Sequence, residues 1–121
     1  MHLASRILII VAALMGATGV GLGAAAAHGG FGPNLAIAST FLLLHAAPVL
    51  AIGLSGREGR LWIASAALLS LGALLFAGQL GAGALWGKSL FLMAAPTGGW
   101  GMILGWLGLA ASAAFMSGVR R

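Results

Sequence analysis

Cysteine and tyrosine are absent from this chain of 121 residues, Glu58 is its single acidic residue, and only 6% of its residues are charged. Without cysteine there is no disulfide framework and no thiolate nucleophile or metal ligand. A single carboxylate excludes catalysis by paired acidic residues. The three histidines include no close pair, whereas a catalytic zinc ion requires three protein ligands. The sequence therefore predicts neither a catalytic centre nor a metal or other cofactor.

Apolar residues make up 61% of the sequence, compared with about 45–50% in soluble domains. Four apolar runs, residues 7–27, 35–54, 61–80 and 99–118, contain no Asp, Glu, Lys or Arg. Each is about as long as the 20 residues that a transmembrane helix requires. Backbone polar groups in lipid must be satisfied within the segment, as they are in a helix. We therefore expect a single all-α domain over residues 1–121, a four-helix transmembrane bundle.

The net charge of +5 does not indicate a nucleic-acid partner, because the basic residues do not cluster on a polar face. They border the apolar runs, as residues that set membrane orientation do. In a four-span protein the outward face holds only Lys88, and the opposite face holds Arg6, Arg57, Arg60, Arg120 and Arg121. The positive-inside rule therefore predicts that both termini are cytoplasmic.

Two segments have an alternative interpretation. The first apolar run is followed by alanines, as a signal peptide is, but it is longer than a signal core of about 7–15 residues, so we expect it to be retained as a helix. Residues 89–95 are too few to span a bilayer, which predicts a short interfacial or re-entrant segment ended by Pro96. The tryptophans are expected to anchor the helices at the interface or to pack between them: Trp62, Trp86, Trp100 and Trp106.

The chain contains 21 glycines, and in lipid small residues mark the surfaces where helices approach closely. Gly16, Gly19 and Gly23 follow small-residue spacing on the first helix, and Gly105 does so on the fourth. We expect these glycines to pack helices together within the chain. The alternative is a face for another subunit or for lipid.

His45 lies near the middle of the second predicted helix, where a polar residue is costly and therefore a functional candidate. Thr18 and Ser70 fall at about the same depth, and Pro48 frees a carbonyl one turn earlier. We expect His45 to be buried, neutral and hydrogen-bonded to one of these groups. Proton relay or ligand contact is the alternative, although the helices supply no carboxylate as a second titratable group.

Five polar residues lie at the outward ends of the predicted helices: His28, Asn34, Gln79, Lys88 and Thr97. Asn34 and Thr97 precede or begin helices, so they are expected to act as caps. Alternatively, all five meet at one rim and form a mildly electropositive pocket for an anionic headgroup or a small solute.

Four motifs occur in order along the chain: Gly16 to His28, Thr40 to Ala46, Leu75 to Leu80, and Pro96 to Gly99 followed by Gly105 and Trp106. They resemble the small bacterial inner-membrane family catalogued as domain of unknown function 423, to which eukaryotic transmembrane protein 256 is similar. The resemblance implies a four-helix protein of the bacterial inner membrane and implies no activity. The family pattern usually has tyrosines where this chain has Phe41 and Gly81, and a serine where it has Ala77.

The function predicted from these observations is that of a non-catalytic accessory, interaction or lipid-binding membrane protein. Its expected partners are membrane lipids and either further copies of itself or the other subunits of a larger membrane complex. The alternative is a small solute or proton-coupled transporter. Small four-span exporters depend on a carboxylate within the membrane, whereas Glu58 lies in a polar turn beside Arg57 and Arg60.

Overall fold

The computed structural model describes residues 1–115, and these residues form four α-helices and no strand. The helices are α1 (Leu3–Ala27), α2 (Asn34–Ser55), α3 (Arg60–Trp86) and α4 (Ala94–Ala114). The predicted all-α class and the order of four helices are confirmed. Arg120 and Arg121, which were assigned to the basic face, lie outside the described residues.

Three of the described helices, α1, α2 and α3, are long and apolar enough to cross a membrane, with mean hydropathies of 2.2, 2.1 and 2.0. α4 has 21 residues, or about 31 Å at 1.5 Å per residue, which matches the hydrocarbon core of a bilayer. Its glycines, tryptophans and Thr97 make it less apolar than the other three. These helices are characteristic of a membrane protein, and the crossing of α4 stays a prediction.

The helices form an open layer, with α2 and α3 in the middle and α1 and α4 outside. Consecutive helices pack along their lengths, and α1 also approaches α3. Within the described residues, no Cα atom of α4 lies within 8 Å of a Cα atom of α1 or α2. The four helices therefore do not close into a ring of neighbours, because the backbone of α4 lies close to that of α3 alone and reaches α2 only through side chains.

The closest backbone approach occurs where α3 crosses α4. A Cβ atom added to Gly98 would lie 2.6 Å from the Phe76 backbone nitrogen and 2.7 Å from the Gly72 carbonyl oxygen. One added to Gly105 would lie 2.8 Å from Leu69 Cγ. Only glycine allows this spacing, and the interior residues beside it are also small, with Ala73 fully buried. Small residues thus set the α3–α4 contact.

The α1–α2 contact uses two of the predicted packing glycines. A Cβ atom at Gly19 would lie 2.8 Å from Leu43 Cγ, and one at Gly23 would lie 2.9 Å from Ser39 Oγ. Ser39 also donates a hydrogen bond of 2.6 Å to the Gly19 carbonyl oxygen. Gly16 takes no part in this contact, because a Cβ atom there would meet nothing within 4 Å. For Gly16 the alternative role, a face for another subunit or for lipid, stays a prediction.

The connection between α3 and α4 is shorter than the sequence predicts. α3 continues to Trp86 and ends at Gly87, whose φ of 64° is left-handed. α4 begins at Ala94, so Pro96 lies in its first turn, where a missing backbone donor costs nothing. Residues 89–95 therefore form no separate helix, and their place at the membrane interface stays a prediction. Their first part is the connection and their last part is the start of α4.

Candidate functional site

His45 is a buried polar residue near the middle of α2. It lies eleven residues after the start of α2 and is only 5% exposed. Its Nδ1 is 2.8 Å from the Phe41 carbonyl oxygen one turn earlier. Because a carbonyl oxygen can only accept, Nδ1 carries the proton.

The second nitrogen of His45 reaches a different helix. His45 Nε2 lies 3.1 Å from Trp106 Nε1 of α4. An indole N–H can only donate, so Nε2 accepts this bond and the imidazole is neutral. The two side chains join helices whose backbones do not touch. α4 reaches α2 over the face of α3, where glycines bring α3 and α4 close together.

Aromatic rings surround this hydrogen bond. The Phe41 ring stacks on His45 with centroids 6.0 Å apart, and the Phe76 ring meets Phe41 at 4.7 Å. The Trp106 ring is edge-on to His45 at 5.8 Å. These separations lie within the range of favourable aromatic pairs. We call Phe41, His45, Phe76 and Trp106 the aromatic cluster. It holds His45 in one orientation.

The partners of His45 differ from those that the sequence predicts. Ser70 donates instead to the Ala66 carbonyl oxygen of its own helix at 2.8 Å, and Thr18 lines a groove described below. Burial, neutrality and a carbonyl contact agree with the prediction, but the carbonyl is that of Phe41. Trp106 was taken for packing. The position of Trp106 in the sequence could have identified it as a partner of His45. Trp106 lies twelve residues after the start of α4, far from the ends of the helix, so its indole N–H needs an acceptor inside the bundle.

The five outward polar residues do not meet at one rim. His28 Nδ1 pairs with the Ala24 carbonyl oxygen of its own helix at 2.7 Å. Thr97 lies on α4, which has no backbone contact with α1. Four cavities in the described residues are lined by none of the five and not by His45. The common rim is absent because the layer is open.

The predicted capping roles also differ from the structure. Asn34 is the first residue of α2, and the cap is Pro33, which makes no side-chain hydrogen bond. Thr97 is inside the first turn of α4, and its N–H donates to the Met93 carbonyl oxygen at 2.9 Å. Neither residue is an N-cap.

Gln79 fixes the connection that follows α3. Its Nε2 donates to Ser89 Oγ at 2.9 Å, and its Oε1 accepts from the Leu90 N–H at 2.7 Å. The N–H of Lys88 donates to the Ala82 carbonyl oxygen at 3.2 Å. The chain around Lys88 is thereby folded back onto the last turn of α3, and Lys88 is an exposed cation at this end of the layer. We call it the His28 end, since residues 28–34 also lie there.

An apolar groove opens beside that end, between α1 and α3 and over α2. Its volume is about 210 Å³. α3 forms most of its wall, and Gly81 is a buried part of that wall where an added Cβ atom would meet nothing within 4 Å. We call it the lateral groove, and its lining includes Thr18, Leu22, Leu42, Leu74, Gly81 and Trp86.

The opposite end, which we call the Arg57 end, holds most of the described charge. His2 caps α1, with its Nδ1 accepting from the Ser5 N–H at 3.4 Å. Its Nε2 lies 3.0 Å from Ser5 Oγ and 3.9 Å from a Glu58 carboxylate oxygen. A cavity of about 560 Å³ lies between the start of α1 and Arg60. These contacts attach the N-terminus to the turn between α2 and α3.

Comparison with known proteins adds the family. The family model described as Protein of unknown function (DUF423) matches residues 22–99, which is more than half of the chain. The chain belongs to the DUF423 family. The description of that family assigns no activity. No curated protein and no solved structure matches the chain.

The match to DUF423 includes all six polar positions predicted from the sequence, and it ends before Trp106 and Gly105. The three positions at which the resemblance implies a tyrosine or a serine all lie at places described above. Phe41 belongs to the aromatic cluster, and Ala77 and Gly81 line the lateral groove.

Proposed function

We propose that this DUF423 protein is a non-catalytic accessory protein of the bacterial inner membrane that acts by binding lipid within the bilayer. The observation that carries the proposal is the state of His45. It is the only ionisable side chain between the terminal turns of the four helices, and both its nitrogens are engaged. A residue bound in this way stabilises a fixed arrangement of helices and has no free nitrogen to pass a proton on.

The rest of the described interior supports the same proposal. Within residues 1–115, every buried side-chain nitrogen and oxygen has a hydrogen-bond partner. The bonds of Ser65 and Ser70 stay within one helix, where each hydroxyl donates to a carbonyl oxygen one turn earlier. A transport path needs polar groups that can exchange partners with a solute, and side chains bound in this way do not offer them.

In the proposed topology, all four helices cross the membrane and both termini are cytoplasmic. Arg6, Arg57 and Arg60 lie at the Arg57 end, and Lys88 alone is at the His28 end. An excess of Arg and Lys on cytoplasmic segments is the usual determinant of orientation. The outer faces of α1 and α4, with exposed side chains such as Leu14 and Trp100, then meet lipid, another copy of the chain or a subunit of a larger complex.

Extraction in native-lipid nanodiscs followed by mass spectrometry of the retained lipids and proteins tests the proposal. We expect a lipid class to be enriched over its share of the membrane, with or without a protein partner. Proteoliposomes containing the protein should show no more proton or solute flux than empty liposomes. Flux that His45→Gln abolishes would instead establish the proton-coupled transporter and refute the proposal.

A further inference from the structure

The lateral groove has the size and chemistry of a hydrocarbon site. Apart from Thr18 and the indole of Trp86, its named lining is aliphatic or glycine. An apolar cavity of about 150 Å³ is enough to bind benzene, and this groove is about 210 Å³. It opens sideways between two apolar helices, so the molecules that surround it in a membrane are lipid acyl chains.

An exposed tryptophan lines the groove, and a cation follows it closely in the chain. Trp86 lines the groove and is 69% exposed, as tryptophans at the level of lipid headgroups are. Lys88 follows two residues later. Its backbone is fixed to Ala82, another lining residue, by the bond to the Ala82 carbonyl oxygen.

Lys88 is also the only Lys, Arg, Asp or Glu residue in the segments that form the His28 end, residues 28–34 and 81–98. Its charge has no opposing carboxylate in those segments. A headgroup with a net negative charge would complement it, whereas a zwitterionic headgroup would bring its own cation close to the ammonium group.

We propose that the lateral groove holds one acyl chain of an anionic phospholipid, whose headgroup phosphate pairs with Lys88. This inference rests on the proposed lipid-binding function and specifies the lipid and its position. The groove supplies apolar area for the chain, and Lys88 supplies selectivity for the headgroup. One basic residue near a membrane surface contributes about 1 kcal/mol, which corresponds to a preference of about fivefold.

Gly81→Leu tests the groove, because Gly81 lines it and an added Cβ atom there meets nothing within 4 Å, so the larger side chain is expected to occupy the groove. Gly16→Leu is the matched control. Gly16 is also a helical glycine whose added Cβ atom meets nothing within 4 Å, but it does not line the groove. Lys88→Gln tests recognition of the lipid headgroup, and Lys88 lies in the connection between α3 and α4, outside the helices.

The measurement is native mass spectrometry of the detergent-solubilised chain titrated with phosphatidylglycerol and with phosphatidylcholine of the same acyl chains. We expect one tightly bound phosphatidylglycerol in wild type and in Gly16→Leu, and its loss in Gly81→Leu. Lys88→Gln should reduce the preference for phosphatidylglycerol by about fivefold and leave binding of phosphatidylcholine unchanged.

Brominated acyl chains give a second readout, since they quench a nearby tryptophan. Trp86→Phe should remove the part of the quenching that comes from Trp86. Quenching should also fall in Gly81→Leu, but it should not fall in Gly16→Leu. Equal lipid binding in Gly81→Leu and wild type would overturn the groove assignment, and an unchanged preference in Lys88→Gln would overturn the headgroup assignment. A lipid-free dimer would identify a second copy as the occupant. None of these results requires ion flux, so they are distinguishable from a failure of the proposed function.

Discussion

At the scale of single residues, the pair formed by His45 and Trp106 carries the most specific information. In hydrocarbon a hydrogen bond between helices contributes on average only about 0.6 kcal/mol, because the unfolded chain in the membrane also finds partners. The pair therefore specifies geometry more than it stabilises. It fixes how far α4 is rotated on α3, since the indole reaches His45 in one orientation.

A double-mutant cycle measures this pair. His45→Phe and Trp106→Phe should each destabilise the fold modestly, with a coupling of about 0.6 kcal/mol in unfolding by denaturing detergent. Trp100→Phe is the control, because Trp100 is 62% exposed and lies on the same helix. Strict additivity of the two changes would mean that the hydrogen bond does not contribute to stability.

His45→Asp should have a much larger effect than His45→Phe. A carboxylate at the centre of a helix costs about 2.5–3.5 kcal/mol in membrane insertion, and here it would also face the Phe41 carbonyl oxygen. The fraction of α2 that inserts and the yield of folded protein should both fall. His45→Gln is the control, because its amide keeps one donor and one acceptor. Equal yields of the Asp and Gln variants would show that water reaches this position.

At the scale of the helices, the glycines are ranked by what lies opposite them. At Gly98 an added Cβ atom would meet backbone atoms of α3 at 2.6–2.7 Å, whereas at Gly19 it would meet the flexible side chain of Leu43. Side chains can move aside, but the backbone of a packed helix moves only if the helices separate. Overpacking of this kind costs about 1–3 kcal/mol.

Gly98→Ala should therefore be more destabilising than Gly19→Ala. Gly16→Ala should be neutral or stabilising by up to about 1 kcal/mol, because alanine is the better helix former and the site is open. Thermal unfolding in one detergent gives the order. Gly16→Ala as destabilising as Gly98→Ala would mean that α1 packs against a partner through Gly16.

The helices themselves follow from composition, whereas two of their ends do not. Long uncharged runs leave the backbone no alternative to a helix in lipid, so four segments are evident in the sequence. The glycines at 81 and 83 indicate a loop there, yet α3 continues through both of them to Trp86. The bond between His45 and Trp106 joins residues 61 positions apart, so no local pattern shows it.

At the scale of the whole molecule, the structure differs from the sequence-based expectation in that the helices form an open layer and α4 does not return to α1. Apolar runs and short turns predict an up-and-down arrangement, but they do not show whether α4 returns to α1. The α3–α4 crossing resolves this, because its glycines bring α4 close to α3, and in the described residues α4 makes no backbone contact with α1. The lateral groove is one consequence, and the absence of a common polar rim is another.

Topology is the remaining test at this scale, and the lack of native cysteine allows single cysteines as probes. Leu92→Cys places one probe at the His28 end, where the Leu92 side chain is 92% exposed. Glu58→Cys places the other probe at the Arg57 end. In intact cells a membrane-impermeant maleimide should label the first and not the second, because Arg6, Arg57 and Arg60 favour the cytoplasm.

The same experiment decides whether α4 crosses the membrane. α4 is less apolar than the other helices, but it is long enough to span, it carries no charged residue, and it packs along α3, which is apolar enough to cross. A reporter fused after Arg121 should therefore lie in the cytoplasm, on the opposite side from Cys at position 92. If the reporter and position 92 are on the same side, α4 does not span and the protein crosses the membrane three times. Trp106 would then reach His45 from a helix that does not cross the bilayer.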